Sequence, residues 1–139
     1  MTHFPDLSPY KYGRGSHPGV VHVGWLDNTH PFTKGTVEAD AIQKLRLLAA
    51  KPVEIYRGFH ICELCAEPGL PRETLPPRDA VLDMNSPYGK WLASRKSNGE
   101  IRVSRTGVTF AAPVLIVHYI EEHGYLPPVQ FLTAVEEAV

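Results

Sequence analysis

Breaks in the chain constrain this sequence more than any other feature. Its 139 residues include 13 prolines and 11 glycines, which interrupt helices and strands and favour turns. The breaks cluster in residues 1–19 and 66–90, which we predict to be mostly loop. Most regular elements must therefore lie outside these two segments. Since 43% of the residues are hydrophobic, one core can be buried, and we predict a single domain over residues 1–139.

The apolar pattern between the breaks predicts a mixture of strands and helices. Alternating and β-branched residues predict strands at 20–26, 53–59, 100–104 and 108–110, and weaker patterns indicate a strand at 80–84 and a helical turn at 88–95. The strands at 100–104 and 108–110 are predicted to form a hairpin, with Gly107 available for positive φ in its turn. Helical spacing predicts helices at about 36–50, 112–123 and 128–138, with Thr36, Pro113 and Gly124 as end signals. We therefore predict an α+β fold with a small antiparallel sheet, one early helix and two C-terminal helices.

The charge balance and the apolar runs restrict the class of partner. There are 14 Lys and Arg against 15 Asp and Glu, whereas proteins that neutralise phosphates usually carry a basic surplus. The apolar run at 114–117 is far shorter than the roughly 20 residues of a membrane span, and the first residues do not resemble a secretory signal. We expect a soluble cytoplasmic protein whose partner is another protein, not a membrane or a nucleic acid.

The two cysteines, Cys62 and Cys65, are the sharpest chemical signal. A disulfide between them would close a very small loop and constrain little of the unfolded chain. Cysteines at this spacing can instead direct both thiolates at one tetrahedral zinc ion, and we predict one Zn²⁺ per chain. Reduced core thiols and a redox pair are the alternatives. The sequence disfavours the redox pair because no long helix follows to lower a thiol pKa.

Three histidines compete for the remaining places around the metal. His118 lies mid-helix on an apolar surface, where an unpaired imidazole is costly to bury. His123 follows at a spacing known from Cys2His2 sites. An ideal helix separates the two side chains by about 140°, but a loosened turn at the helix end could bring His123 toward His118. His60 and Cys62 point to the same side of a strand. We predict a treble-clef-like zinc site with the ligands Cys62, Cys65, His118 and either His60 or His123. Without a metal, His118 would be a hydrogen-bonded core histidine and His123 a favourable cation at the C-terminus of the helix.

Other polar residues have simpler explanations than catalysis. Asp27 and His30 resemble an acid–base pair, but Asp27 is better explained as the cap of a turn. Glu121 and Glu122 are typical of the solvated face of a helix. If zinc had only three protein ligands and an open position, Glu122 or Glu63 would be the first general-base candidate. Nucleotide-binding and hydrolase motifs are absent from the sequence, so the catalytic residues remain unknown.

Around these residues the chain resembles a family of small bacterial proteins whose domain has no known function. The shared motifs are Gly-Phe-His-x-Cys-x-x-Cys at 58–65 and Ala-Pro-x-Leu-Ile-x-His-Tyr from 112, followed by His123, Tyr125, Pro127, Pro128 and Phe131. Segments 6–10, 23–27, 30–32 and 99–103 extend the resemblance over nearly the whole chain. The resemblance implies one domain and draws attention to the histidines and cysteines, but it implies no activity.

Three functions are consistent with the sequence. We predict a structural zinc module whose exposed loops engage another protein, for example as an accessory or immunity protein beside a bacterial toxin. A zinc-dependent hydrolase is the second possibility, and the coordination number separates the two, since structural zinc has four protein ligands and catalytic zinc usually three. Nucleic-acid binding is the third, suggested by basic residues near Trp91. These basic residues are Arg95, Lys96, Arg102 and Arg105.

Overall fold

The computed structural model describes residues 3–12, 15–54, 60–65, 85 and 96–139, with 60, 61, 96 and 97 described by their backbone alone. The regular elements are β1 (Val20–His22), α1 (Ala39–Ala49), β2 (His60–Ile61), β3 (Lys96–Ser97), β4 (Glu100–Arg105), β5 (Val108–Pro113), α2 (Ile116–His123) and α3 (Val129–Ala138). The predicted α+β class, with one early and two C-terminal helices, is confirmed. The predictions at 55–59, 80–84 and 88–95 lie outside the described residues.

The larger sheet has three strands in the order β1-β5-β4. β4 and β5 form the predicted hairpin, whose two-residue turn places Thr106 at φ 49° and Gly107 at φ 82°. β1 pairs in parallel with β5, starting with Val20 opposite Thr109, so the sheet is mixed and not purely antiparallel as predicted. No local pattern reports this pairing because it joins segments far apart in sequence.

The first strand is shorter than the predicted 20–26 because Gly24 ends it. Gly24 adopts φ 76°, a backbone conformation that residues with a side chain rarely adopt. A Cβ at this position would also lie 2.9 Å from Cδ1 of Ile116, so α2 packs directly on the backbone here. Beyond the break, Trp25 forms an isolated bridge with Phe4.

Two helices begin later than the sequence predicts. The N-cap of α1 is Glu38, not Thr36, because the preceding backbone is already engaged, with the amide of Gly35 donating to the carbonyl of Gly124 at 3.0 Å. α2 begins at Ile116 and not near residue 112. Pro113 is the last residue of β5, opposite Glu100, where its missing N–H does not interrupt the ladder.

The main core lies between the larger sheet and the three helices. α3 packs on β4 and on α1, and α1 also contacts α2. A smaller group, called here the aromatic cluster, covers the outer side of β1 and consists of Phe4, Tyr10, Tyr12, His22 and Trp25. Among the described helices, none combines the length and the apolarity needed to cross a bilayer.

Candidate metal centre

The two cysteines lie on a short knuckle that follows β2. Antiparallel pairing of β2 with β3 delivers the chain to Cys62, and a turn at 63–64 leads to Cys65. Cys62 is 5% exposed and belongs to the main core, whereas Cys65 is half-buried and packs against it. Both side chains are free thiols. The knuckle therefore offers two sulfur donors at the edge of the core.

The helix α2 supplies two histidines, one in its first turn and one at its last residue. A regular helix would point His118 and His123 about 140° apart. The last turn is wider than a regular turn, because the amide of Gly124 bonds to the carbonyl of Tyr119, five residues back, while Gly124 adopts φ 68°. The ring centroids of the two histidines lie 5.1 Å apart as a result.

Both imidazoles face the sulfurs through their Nε2 atoms. His118 Nε2 lies 3.1 Å from Cys65 Sγ, and His123 Nε2 lies 3.4 Å from Cys62 Sγ and 3.5 Å from Cys65 Sγ. One donor atom from each of the four side chains lies within 4.8 Å of all the others. The four donors thus surround a common point.

These separations can be compared with those that a metal requires. Tetrahedral zinc, with sulfur at about 2.3 Å and nitrogen at about 2.0–2.1 Å, needs S···N separations of about 3.6 Å. The observed values of 3.1, 3.4 and 3.5 Å are at or slightly below that edge length. The Cys2His2 group can therefore hold a metal ion after small side-chain adjustments.

The charge of the site also matches a divalent cation. Burial raises the pKa of the Cys62 thiol to about 11, so without a cation this thiol is neutral at pH 7. A bound cation stabilises the thiolate directly and displaces the proton. Two thiolates and one dication sum to zero charge, which suits a partly buried position. Burial, followed by the nearby cysteines, likewise raises the pKa of Tyr119, which stays protonated.

Of the two alternative histidines, the structure describes the side chain of only one. His123, which helix geometry seemed to turn away, contacts both sulfurs. The backbone of His60 pairs with Ser97 in the small sheet, but its side chain lies outside the described part of the chain. Ligation by His60 therefore stays a prediction.

The acidic candidates agree with the predicted solvated face of α2. Glu121 binds the guanidinium of Arg46 through both carboxylate oxygens, at 2.6 and 3.1 Å. Glu122 is exposed, and Glu63 is half-buried in the turn of the knuckle.

A second group of metal-binding residue types forms near the N-terminus. Asp27 and His30, which resemble an acid–base pair in the sequence, are in contact, with 2.9 Å between a carboxylate oxygen and Nδ1. Asp27 also caps the turn, as predicted, by accepting the backbone N–H of Thr29 and of His30. His3 joins this pair, which the sequence did not indicate because its anchor, the carbonyl of Trp25, is 22 residues away.

The hairpin arginines form ion pairs within the protein. Arg102 donates to Glu100 and Arg105 donates to Glu137, each at 3.0 Å. The remaining members of the predicted basic patch, Arg95 and the side chain of Lys96, lie outside the described residues, as does Trp91.

Comparison with known proteins identifies the family. The family model of DUF7919, a domain of unknown function, matches residues 2–136. The chain therefore belongs to this family. No curated protein and no solved structure is significantly similar to the chain.

Proposed function

We propose that this member of DUF7919 is a zinc protein in which Cys62, Cys65, His118 and His123 hold one Zn²⁺ as a structural cross-link. The observation that supports the proposal most strongly is the spacing of the four donor atoms, since S···N separations of 3.1–3.5 Å suit one tetrahedral ion. Two thiolates with two imidazoles form a donor set typical of zinc in proteins.

A structural role is favoured over a catalytic one by the number of donors. Catalytic zinc usually keeps one position for water beside three protein ligands, whereas structural zinc is closed by four. Here two donors come from the knuckle after β2 and two from α2, more than 50 residues later in the chain. The ion would therefore join two elements that otherwise meet at the edge of the core, and its binding free energy would add to the stability of the fold.

We further propose that the zinc-stabilised domain acts by binding another protein. The formal net charge of −1 and the internal ion pairs of Arg102 and Arg105 disfavour a nucleic acid. A groove of about 270 Å³ between α1 and α3, lined by apolar and polar residues in equal number, is a suitable surface for a protein partner. Its rim carries Val129, whose side chain is 71% exposed.

Elemental analysis of the purified chain tests the zinc proposal. Protein prepared without chelators should contain one zinc per chain, and Cys62→Ser should contain almost none. His17→Gln serves as the matched control, because His17 packs against Tyr10 and not in the metal centre, and it should keep the parental zinc content. Parent protein free of transition metals would reject the proposal.

The hydrolase alternative makes a different prediction for the same sample. If only three of the four side chains bound zinc and water filled the fourth position, substitution of the one side chain that does not bind zinc would leave the zinc affinity unchanged. In that case Glu63 and Glu122 would become the first residues to test as general bases.

A further inference from the structure

We propose that His3, Asp27 and His30 form a second metal site, which takes a divalent transition-metal ion through two imidazole nitrogens and one carboxylate. We call it the N-terminal site. One donor atom from each of the three residues lies within 4.8 Å of the others. The site shares no residue with the Cys2His2 centre, and the inference does not depend on zinc at that centre.

The Nδ1 atoms of both histidines face one carboxylate oxygen. Oδ1 of Asp27 lies 2.9 Å from Nδ1 of His30 and 3.9 Å from Nδ1 of His3. Neighbouring donors around an ion with bonds of about 2.1 Å are about 3.0 Å apart in an octahedron and about 3.4 Å apart in a tetrahedron. The two separations bracket these values, so the three donor atoms are close enough to share one ion once the rings reorient.

The surroundings hold Asp27 in place before an ion binds, whereas the two histidine rings must reorient. The rings of His3 and His30 stack face to face, with centroids 4.0 Å apart and planes 9° apart. Because an imidazole nitrogen binds a metal in the plane of its ring, one of the two rings has to leave this stack when the ion binds. Asp27 is fixed by the hydroxyl of Thr29 at 2.8 Å and by two backbone amides. Burial alone would raise the pKa of Asp27, but hydrogen bonds from His30 and Thr29 lower it to about 2, so the carboxylate stays ionised.

Binding requires both Nδ1 atoms to give up a proton. His3 Nδ1 lies 3.0 Å from the Trp25 carbonyl, which only accepts, so this nitrogen carries a proton in the metal-free protein. His30 Nδ1 likewise donates to Asp27. On binding, these two protons leave Nδ1, and His3 gives up its bond to the carbonyl. This lost bond and the absence of sulfur predict a weaker site than the Cys2His2 centre.

The N-terminal site leaves coordination positions for water or a small ligand. Three protein donors do not fill the shell of a transition metal. His30 is 53% exposed, and a cavity of about 190 Å³ opens beside His3 between residues 3–6 and 31–33. Nitrogen and oxygen donors suit Mn²⁺, Fe²⁺, Co²⁺ and Zn²⁺.

Equilibrium dialysis against Co²⁺ tests this site in full-length protein that already carries one equivalent of Zn²⁺. The parent should bind one further equivalent, without the absorption band of thiolate-to-cobalt charge transfer. Asp27→Asn and His30→Gln should weaken this binding at least about tenfold while zinc is retained. His17→Gln should bind Co²⁺ as the parent does. Because both test variants keep His3, loss of Co²⁺ binding in these variants would also exclude binding by His3 alone.

The variants are chosen so that folding does not obscure the result. His30 is exposed, and asparagine at position 27 keeps an oxygen that can cap the turn. The proposal is overturned if the parent binds no second ion, or if both variants bind Co²⁺ as tightly as the parent. It is also overturned if thiolate-bound cobalt accounts for all the Co²⁺ taken up.

Discussion

The metal centre and the aromatic cluster both enclose histidines, and the contacts of those histidines differ. In the metal centre, the Nε2 atoms of His118 and His123 face sulfur atoms at 3.1–3.5 Å. In the aromatic cluster, His22 is fully buried and stacks on Phe4, with centroids 3.8 Å apart. Its Nε2 accepts the amide N–H of Lys11 at 3.0 Å, and its Nδ1 has no hydrogen-bond partner among the described residues.

The difference shows that burial of a histidine does not by itself indicate a metal ligand. His22 is more buried than either histidine of α2, yet its neighbours are rings and a backbone amide. Burial, followed by the charge of Arg102, lowers the pKa of His22 to about 4 and keeps it neutral. What distinguishes the metal centre is the convergence of further donor atoms on the same point.

The largest expected effect is loss of the zinc cross-link. Cys62→Ser should lower the free energy of unfolding by several kcal/mol, because binding free energies of about 10 kcal/mol or more at structural zinc sites become folding free energy. Thermal unfolding with and without a chelator measures it. His17→Gln should change stability by less than about 1 kcal/mol, and equal losses in both variants would contradict the structural role. His3 is a poorer control, since it bonds to the Trp25 carbonyl.

Single histidine substitutions should give the next largest effect. His118→Ala and His123→Ala each remove one of four proposed ligands and should weaken zinc binding at least about 100-fold, whereas His60→Ala should act only indirectly and cost less. His22→Gln should leave zinc binding unchanged. Chelator competition measures all four variants, and the ligand set with His60 is correct if His60→Ala loses zinc while His123→Ala retains it.

Burial of His22 in the aromatic cluster should make the free energy of unfolding depend on pH. The pKa of His22 is about 4 in the folded protein and 6.5 when unperturbed, so the unfolded chain binds more protons between these values. The free energy of unfolding is therefore unaffected by protonation of His22 above pH 6.5 and decreases as the pH falls towards 4, by up to about 3 kcal/mol. Denaturant unfolding of parent and His22→Gln should show this slope only in the parent. Parallel pH profiles would contradict it.

The smallest expected effect is that of Gly124, which lies in the turn at the end of α2 and is not itself a ligand. Gly124→Ala and Gly107→Ala each place a side chain at positive φ with no atom within 4 Å of the new Cβ, so both should cost about 1 kcal/mol. Only Gly124→Ala should also reduce zinc affinity, by less than about tenfold, because this turn positions His123. Unchanged affinity in both variants would show that the wide last turn does not position the ligand.

Local signals predicted the parts of the fold that depend on neighbouring residues. The hairpin turn at Thr106 and Gly107 and the end of α2 at Gly124 were correct, since each contains a glycine, which accepts positive φ. The start of α2 was wrong because proline is equally compatible with a first helical turn and with a strand end. Pairing of Pro113 with Glu100 across the hairpin decided between them.

For the candidate site, too, the sequence predicted the features that depend on local residues and not those that depend on distant ones. The spacing of Cys62 and Cys65 predicted a knuckle, and the burial cost of an imidazole singled out His118. The approach of His123 to the sulfur atoms depends on a bond from Gly124 to a carbonyl five residues back. Gly124 marks the end of the helix in the sequence, but its residue type does not specify which carbonyl its amide bonds. The approach of His3 to Asp27 arises from packing between distant segments, so residue spacing gave no sign of it.

X-ray absorption at the zinc edge of protein loaded with one equivalent of Zn²⁺ tests the central claim most directly. The account predicts a first shell of two sulfur atoms at about 2.3 Å and two nitrogen atoms at about 2.0–2.1 Å. A shell that lacks sulfur, or one in which an oxygen replaces a nitrogen, would contradict the closed Cys2His2 site.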